Sequence, residues 1–175
     1  MKPTPHSPFV ISEYVRWGDI DLAGIICYGA YIRFYELAET EIFRAVGLPF
    51  RDMFERYDIW LPRKVMHTEF HSPAVLDERL AVLTYFSRVG NTSLTINFDV
   101  MDADRGVLHA TAYQVLVCVG RDKLVKRPLP PEVVAAIAPY VMTPEEARAS
   151  KAAQPVGNAG ATAAGTSGAT SASSR

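Results

Sequence analysis

The hydrophobic pattern changes period once near the start of the chain and then settles. Phe9 to Trp17 (FVISEYVRW) is rich in β-branched and aromatic residues and reads as a first strand ending at Gly18. A polar loop from Asp19 to Cys27 follows. From Tyr31 the apolar residues Tyr31, Phe34, Tyr35, Ala38, Ile42 and Val46 recur at helical spacing, so one face of a long helix is buried. Arg33, Glu36, Thr40 and Arg44 fall on another side, where they stay wet or line a cleft. Gly47 supplies a left-handed stop and Pro49 follows it.

Beyond a short helical turn at Phe50 to Tyr57 the period becomes that of strands. Ile59 to His71 reads as a second strand closed by Ser72-Pro73, and Arg79 to Val89 as a third. Gly90-Asn91 turns into a fourth, in which Leu94, Ile96, Phe98 and Val100 alternate with polar residues. The turn Asp102 to Gly106 leads into a long apolar fifth strand, Val107 to Val119. Leu129-Pro130-Pro131 opens a short helix through Ile137. One strand, a long helix and four successive strands imply an α+β domain with an antiparallel sheet and the helix on one face. A sheet covered on one side only favours self-association.

Composition narrows this pattern to one domain. Of the 175 residues, 1–8 form a polar lead-in, 9–140 the domain, and 141–175 an Ala/Gly/Ser/Thr-rich tail expected to be disordered. A net charge of −1 argues against nucleic acid as a partner. The lead-in has no apolar run behind it, so no secretory signal or membrane span is expected. Two lone cysteines, Cys27 and Cys118, suit a reducing compartment, and a cytoplasmic location is expected.

Candidate chemistry concentrates in the loop D-I-D-L-A-G-I-I-C-Y. Asp19 and Asp21 lie between a strand end and a helix start, beside Gly24, which lets a ligand approach the backbone. The helix start offers unpaired N–H groups, that of Tyr28 foremost, to a developing oxyanion. A carboxylate nearby could attack a carbonyl or take a proton from water, while both aspartates could equally be turn formers. Cys27 lies in the same loop, but no histidine is paired with it by motif. His67, Glu69 and His71 share a strand face without an evident fourth ligand, so no metal site is expected; His109 reads as a satisfied core or interface residue.

The stretch G-D-x-D-x-A-G-I-x-x-Y-x-x-Y, followed by R-F-Y-E and G-L-P, resembles the signature of the 4-hydroxybenzoyl-CoA thioesterase family. F-H-S-P-A-V-L-D-E-R-L (Phe70 to Leu80) resembles that family's stretch entering its third strand, and the similarity spans about Phe9 to Pro139. The resemblance implies a hotdog fold, a curved five-stranded antiparallel sheet wrapped around one long helix, as a homodimer or homotetramer. It implies hydrolysis of an aryl- or short/medium-chain acyl-CoA thioester with no cofactor. Asp21 would be nucleophile or general base, the Tyr28 backbone N–H the oxyanion donor, and Glu36 a contact for the acyl group across a dimer interface. Arg88 and the run Arg121, Lys123, Lys126 and Arg127 are candidates for the phosphates of coenzyme A. Where relatives carry asparagine, histidine and arginine, this chain has Gly29-Ala30, Tyr28 and Glu39. Two rivals share the fold: a thioesterase acting on acyl carrier protein, and a module that binds acyl-CoA without cleaving it.

Overall fold

The computed structural model describes residues 7–152. Strand β1 (Phe9–Tyr14) is followed by a 3₁₀ turn at Trp17–Asp19, a loop, and a second 3₁₀ turn at Tyr28–Ala30 that runs straight into helix α1 (Tyr31–Ala45). Helix α2 (Phe50–Tyr57) and strands β2 (Ile59–Trp60), β3 (Arg63–Phe70), β4 (Arg79–Val89), β5 (Ser93–Asp102), β6 (Leu108–Val117) and β7 (Val119–Gly120) come next. Helices α3 (Pro131–Ile137) and α4 (Pro144–Ala152) close the described chain. The main sheet has five strands in the order β1-β4-β5-β6-β3, every pairing antiparallel. The sheet is not closed: β1 and β3 are its two edges.

Pattern and packing agree closely. Tyr31, Phe34, Tyr35, Ala38 and Ile42 of α1 meet Leu80, Val82 and Phe86 of β4 and Leu94, Ile96, Phe98 and Val100 of β5 in one core. Tyr35 stacks on Phe98 with ring centroids 5.0 Å apart. Gly47 ends the helical run at φ 78°, a conformation that glycine enters without the Cβ penalty. Register breaks between Phe86 and Arg88 and between Val100 and Met101 bend the sheet around the helix.

Two expected strands are interrupted. The one read from Ile59 to His71 stops at Trp60 and restarts at Arg63, because Pro62 cannot donate to a ladder. The one read from Val107 to Val119 ends at Val117, where the Cys118 N–H turns to Thr92 O instead (2.9 Å or less). Its last residues form the small β2–β7 ladder.

The boundary at residue 140 needs correction. Val141 bridges Phe86, the Met142 N–H donates to Phe86 O at 2.9 Å, and α4 packs its Ala147 with Met142 against Tyr85 on the sheet face away from α1. Residues 141–152 are therefore part of the ordered domain. Composition hid this helix, whose buried contribution is small, but a capping box was legible: the Thr143 N–H donates to Glu146 Oε2 (2.8 Å) and the Glu146 N–H to Thr143 Oγ1 (3.2 Å). Residues 1–6 of the lead-in and 153–175 of the tail lie outside the described residues.

Arg148 of α4 reaches back to Asp99, whose side chain is 2% exposed, with Nε 2.8 Å from Oδ2. Arg148→Ala is expected to cost about 2 kcal/mol, since the carboxylate loses a charged partner but α4 can lift and admit water. Urea unfolding of the variant beside wild type checks it. No helix among the described residues is long and apolar enough to cross a membrane.

Candidate active site

The two aspartates of the loop have different fates. Asp19 is buried, takes the Arg16 N–H on Oδ2 at 2.8 Å and is gripped by the Arg33 guanidinium, with Nε 3.1 Å from Oδ1. Burial works to raise its pKa, but the Arg33 hydrogen bond and charge and the Arg16 N–H outweigh it and hold the carboxyl below its ordinary value. Its backbone also takes the Cys27 N–H at 2.7 Å. Asp19 is the post on which the loop is tied.

Asp21 has no such partner. Its side chain is exposed and, among the described residues, makes only an Asx-type bond, accepting from the Ala23 N–H on Oδ1 at 2.8 Å. The Asp21 N–H donates to Ile25 O and the Gly24 N–H to Asp21 O, each at 3.0 Å, closing a tight loop. Gly24 sits at φ 76°, and a Cβ built there meets nothing within 4 Å. The glycine is thus needed for the backbone conformation of the turn, rather than to make room for a close approach. Asp21 lines a cleft of about 410 Å³ together with Ile26, Tyr28, Tyr31, Phe70 and Ser72.

The opening turn at Tyr28 has no side-chain cap, and no acceptor among the described residues takes the Tyr28 N–H. That N–H stands at the head of α1 beside the cleft, where the helix presents its positive dipole end. The opposite wall is the segment between β3 and β4, attached to the loop by the Ile26 N–H donating to Ala74 O at 2.9 Å. The motif Phe70 to Leu80 carried this wall in the sequence. What no local pattern gave was the burial of Tyr31 against Phe70, with centroids 5.2 Å apart. Burial and the nearby Tyr35 and Glu78 push the Tyr31 hydroxyl above its ordinary pKa, so it stays neutral.

Other candidate residues are not brought to Asp21 within one protomer. Glu36 is exposed on α1 and is not in the lining of the cleft. Arg88 lies opposite Thr95 near the far end of the sheet. Arg121 and Lys123 follow β7 at that same end, with the Arg121 guanidinium 4.7 Å from the centre of the Trp60 ring. Along β6 the step from Ala110, which pairs with Phe70 beside the cleft, to Val117 is roughly 23 Å at ~3.3 Å per residue.

The strand face His67, Glu69 and His71 does not converge. His67 Nε2 lies 3.1 Å from Glu69 Oε1 and its ring stacks on Tyr113, whereas His71 Nε2 turns to Thr111 Oγ1 at 3.0 Å. Among the described residues Glu78, Asp102 and His109 do bring ligand-type atoms within 4.8 Å of one another. The Arg105 guanidinium bonds both carboxylates there, so the cluster is already neutralised by protein.

A family model described as the thioesterase-like superfamily matches residues 15–137. The acyl-CoA thioester hydrolase YbgC of Escherichia coli is 31% identical over 121 residues, covering 69% of this chain and 89% of that protein. The 1,4-dihydroxy-2-naphthoyl-CoA hydrolase of Nostoc punctiforme is 24% identical over 126 residues, 72% of this chain and 84% of that protein. Among solved structures, a thioesterase superfamily protein from Jannaschia sp. CCS1 aligns with a TM-score of 0.72 and 26% identity over 82% of this chain and 99% of its own. The 1,4-dihydroxy-2-naphthoyl-CoA thioesterase Slr0204 from Synechocystis aligns with a TM-score of 0.70 and 22% identity, over 74% and 95% of the two chains.

Proposed function

This chain belongs to the thioesterase-like superfamily and is an acyl-CoA thioester hydrolase, and on that premise we propose that the Asp21 carboxylate carries its chemistry in the cleft beside Tyr28. The fold it uses is the hotdog fold of its structural neighbours. The observation that carries the site is a contrast: of two neighbouring aspartates one is locked in an ion pair, and the other faces a cleft without a cation.

The thioester carbonyl oxygen would accept the Tyr28 N–H, so negative charge developing on it meets a fixed dipole. Asp21 then attacks the carbonyl carbon, expelling the CoA thiolate and leaving an acyl anhydride for water to open. Alternatively it takes a proton from the water that attacks directly. Both routes end in a carboxylate and free CoA. Gly24→Val would strain the turn that aims Asp21, and a misplaced carboxylate is expected to cost on the order of a hundredfold in turnover. A thiol-release time course on the folded variant tests that.

We place the remaining contacts on a second copy. Strand β3 is a free edge, and its Val65, Met66 and Phe70 are exposed by 37%, 44% and 52%. Pairing of β3 with its own copy about a twofold axis runs the two strands antiparallel. The start of the partner's β3, with the basic loop after β7 near it, then approaches the cleft end of the first protomer. Glu36, Arg88, Arg121 and Lys123 would serve the acyl group and the CoA phosphates in that assembly, as a dimer or a dimer of dimers. Met66→Glu is expected to shift the protein to monomer in sedimentation and to raise KM for acyl-CoA. The two unpaired cysteines suit the reducing cytoplasm as its location.

Thiol release measured with benzoyl-CoA, 4-hydroxybenzoyl-CoA, a medium-chain acyl-CoA and the corresponding carrier-protein thioesters tests the assignment. Release from the CoA substrates is expected. Release from carrier-protein thioesters alone, or tight binding without release, would overturn it.

A further inference from the structure

Behind the wall of the cleft lies a buried polar group that the hydrolysis itself leaves unused. His109 of β6 is 1% exposed. Its Nδ1 lies 3.1 Å from both Ser72 O and Ser72 Oγ, and its Nε2 lies 2.8 Å from Glu78 Oε1. Ser72 lines the Asp21 cleft, and Glu78 stands at the other end of the same loop.

The partners fix where the protons are. Ser72 O can only accept, and the Ser72 hydroxyl proton is committed to Leu108 O at 2.9 Å, so Nδ1 must donate. Glu78 accepts on both oxygens, from Arg105 Nη2 at 2.7 Å on Oε1 and from the Val75 N–H at 3.0 Å on Oε2. It is therefore an ionised carboxylate with no proton to give, and Nε2 must donate as well. A ring that donates at both nitrogens is an imidazolium.

Charge agrees with this count. Asp102 takes the Arg105 Nε–H on Oδ2 and the Asp104 and Arg105 backbone N–H groups, each 2.7 Å, on Oδ1. Glu78 and Asp102 against Arg105 and the ring make two charges of each sign in a site from which water is largely excluded. The surrounding groups do not disturb the balance. Arg79 and Asp104 pair with each other at the mouth, His71 turns its ring to Thr111, and Asp77 is exposed.

Serine, histidine and glutamate in a hydrogen-bonded row would suggest a nucleophile and its base. A protonated Nδ1 cannot take the serine proton, which rules that out. We propose instead that His109 is a positioning residue: as a buried imidazolium it bridges Ser72 and Glu78, and so pins the loop that walls the Asp21 cleft and holds Ala74 against Ile26. The proposal rests on that cleft being the site of hydrolysis.

The test reads the ring and the rate separately. Nitrogen NMR of the wild-type chain is expected to show both ring nitrogens protonated from about pH 6 to about pH 8, beyond the range where an ordinary histidine loses its charge. In Glu78→Gln the ring should titrate inside that range, and kcat should fall on the order of tenfold as pH rises, with the same midpoint as the ring. If Glu78→Gln does not fold, Asp102→Asn, which lowers the negative charge without touching the ring's own bonds, is read in the same way. A neutral ring in the wild type at pH 7, or a kcat in the variant that ignores the ring, overturns the proposal. Unchanged turnover in Asp21→Asn would instead remove the cleft assignment and leave the ring spectrum standing.

Discussion

Asp21→Asn is expected to lower kcat for acyl-CoA hydrolysis on the order of a thousandfold, within the range for loss of an acid–base or nucleophilic carboxylate. The substitution keeps size and the Asx bond to the Ala23 N–H, since an amide oxygen accepts as a carboxylate oxygen does. It removes only the lone-pair basicity and the charge. Because Asp21 is exposed and bonded to no cation among the described residues, the thermal midpoint should stay within about a degree of wild type, as for other isolated surface substitutions. CoA binding should likewise persist. Asp19→Asn makes the matched control with the opposite profile, because it weakens a buried ion pair and loosens the loop. Rate and stability measured on the pair separate a chemical role from an architectural one. If Asp21→Asn turned over at the wild-type rate, the cleft would have to work through some other group.

The largest stability effect is expected at Arg63→Ala. Glu39 is buried on α1 and takes the Arg63 guanidinium from β3, while Arg63 Nε also donates to Gln114 Oε1 at 2.7 Å. Burial pushes the Glu39 carboxyl up, the charge and hydrogen bond of Arg63 pull it back, and the nearby Glu36 adds to the rise; the net direction is upward. Removing Arg63 leaves a buried charge unpaired, at a cost of about 3 kcal/mol.

The sign of the pH dependence follows from that upward shift. Below the unfolded value of about 4.3 Glu39 is protonated in both states and carries no penalty. As pH rises through the window up to the folded-state value, the folded chain holds the proton longer than the unfolded one, and stability is lost. Arg63→Ala widens this window. Its destabilisation in urea should therefore be larger at pH 7 than at pH 5. An equal loss at both would mean that Glu39 is not the group left stranded. Glu39→Gln, which keeps an acceptor for Arg63 without the charge, should stay within about 1 kcal/mol of wild type.

These two residues mark the border between what was legible and what was not. The buried face of α1, the left-handed Gly47 and the inward row Leu94, Ile96, Phe98, Val100 could be read from spacing, because a period of 3.6 or 2 repeats a physical requirement at every turn or every second residue. The loop motif pointed to Asp19 and Asp21 together. Glu39 falls on the same helical face as Ala38 and Ile42, yet its charge gave no reason to bury it; only Arg63, 24 positions away, makes that possible. The helix at Pro144–Ala152 escaped for a similar reason, since its place depends on Tyr85 and Asp99 rather than on its own hydrophobicity.

The sequence alone determined the order of elements, the side of each that faces inward, and the loop where an acid meets a helix start. Each of these follows from interactions among residues close along the chain, which periodicity and turn chemistry record. Tertiary structure alone decided which aspartate is tied to Arg33 and which looks into the cleft, and how His109 joins Ser72 to Glu78 behind it. Those outcomes depend on burial and on partners 14, 37 and 31 residues apart, and electrostatics in a buried site is set by what surrounds a group in space.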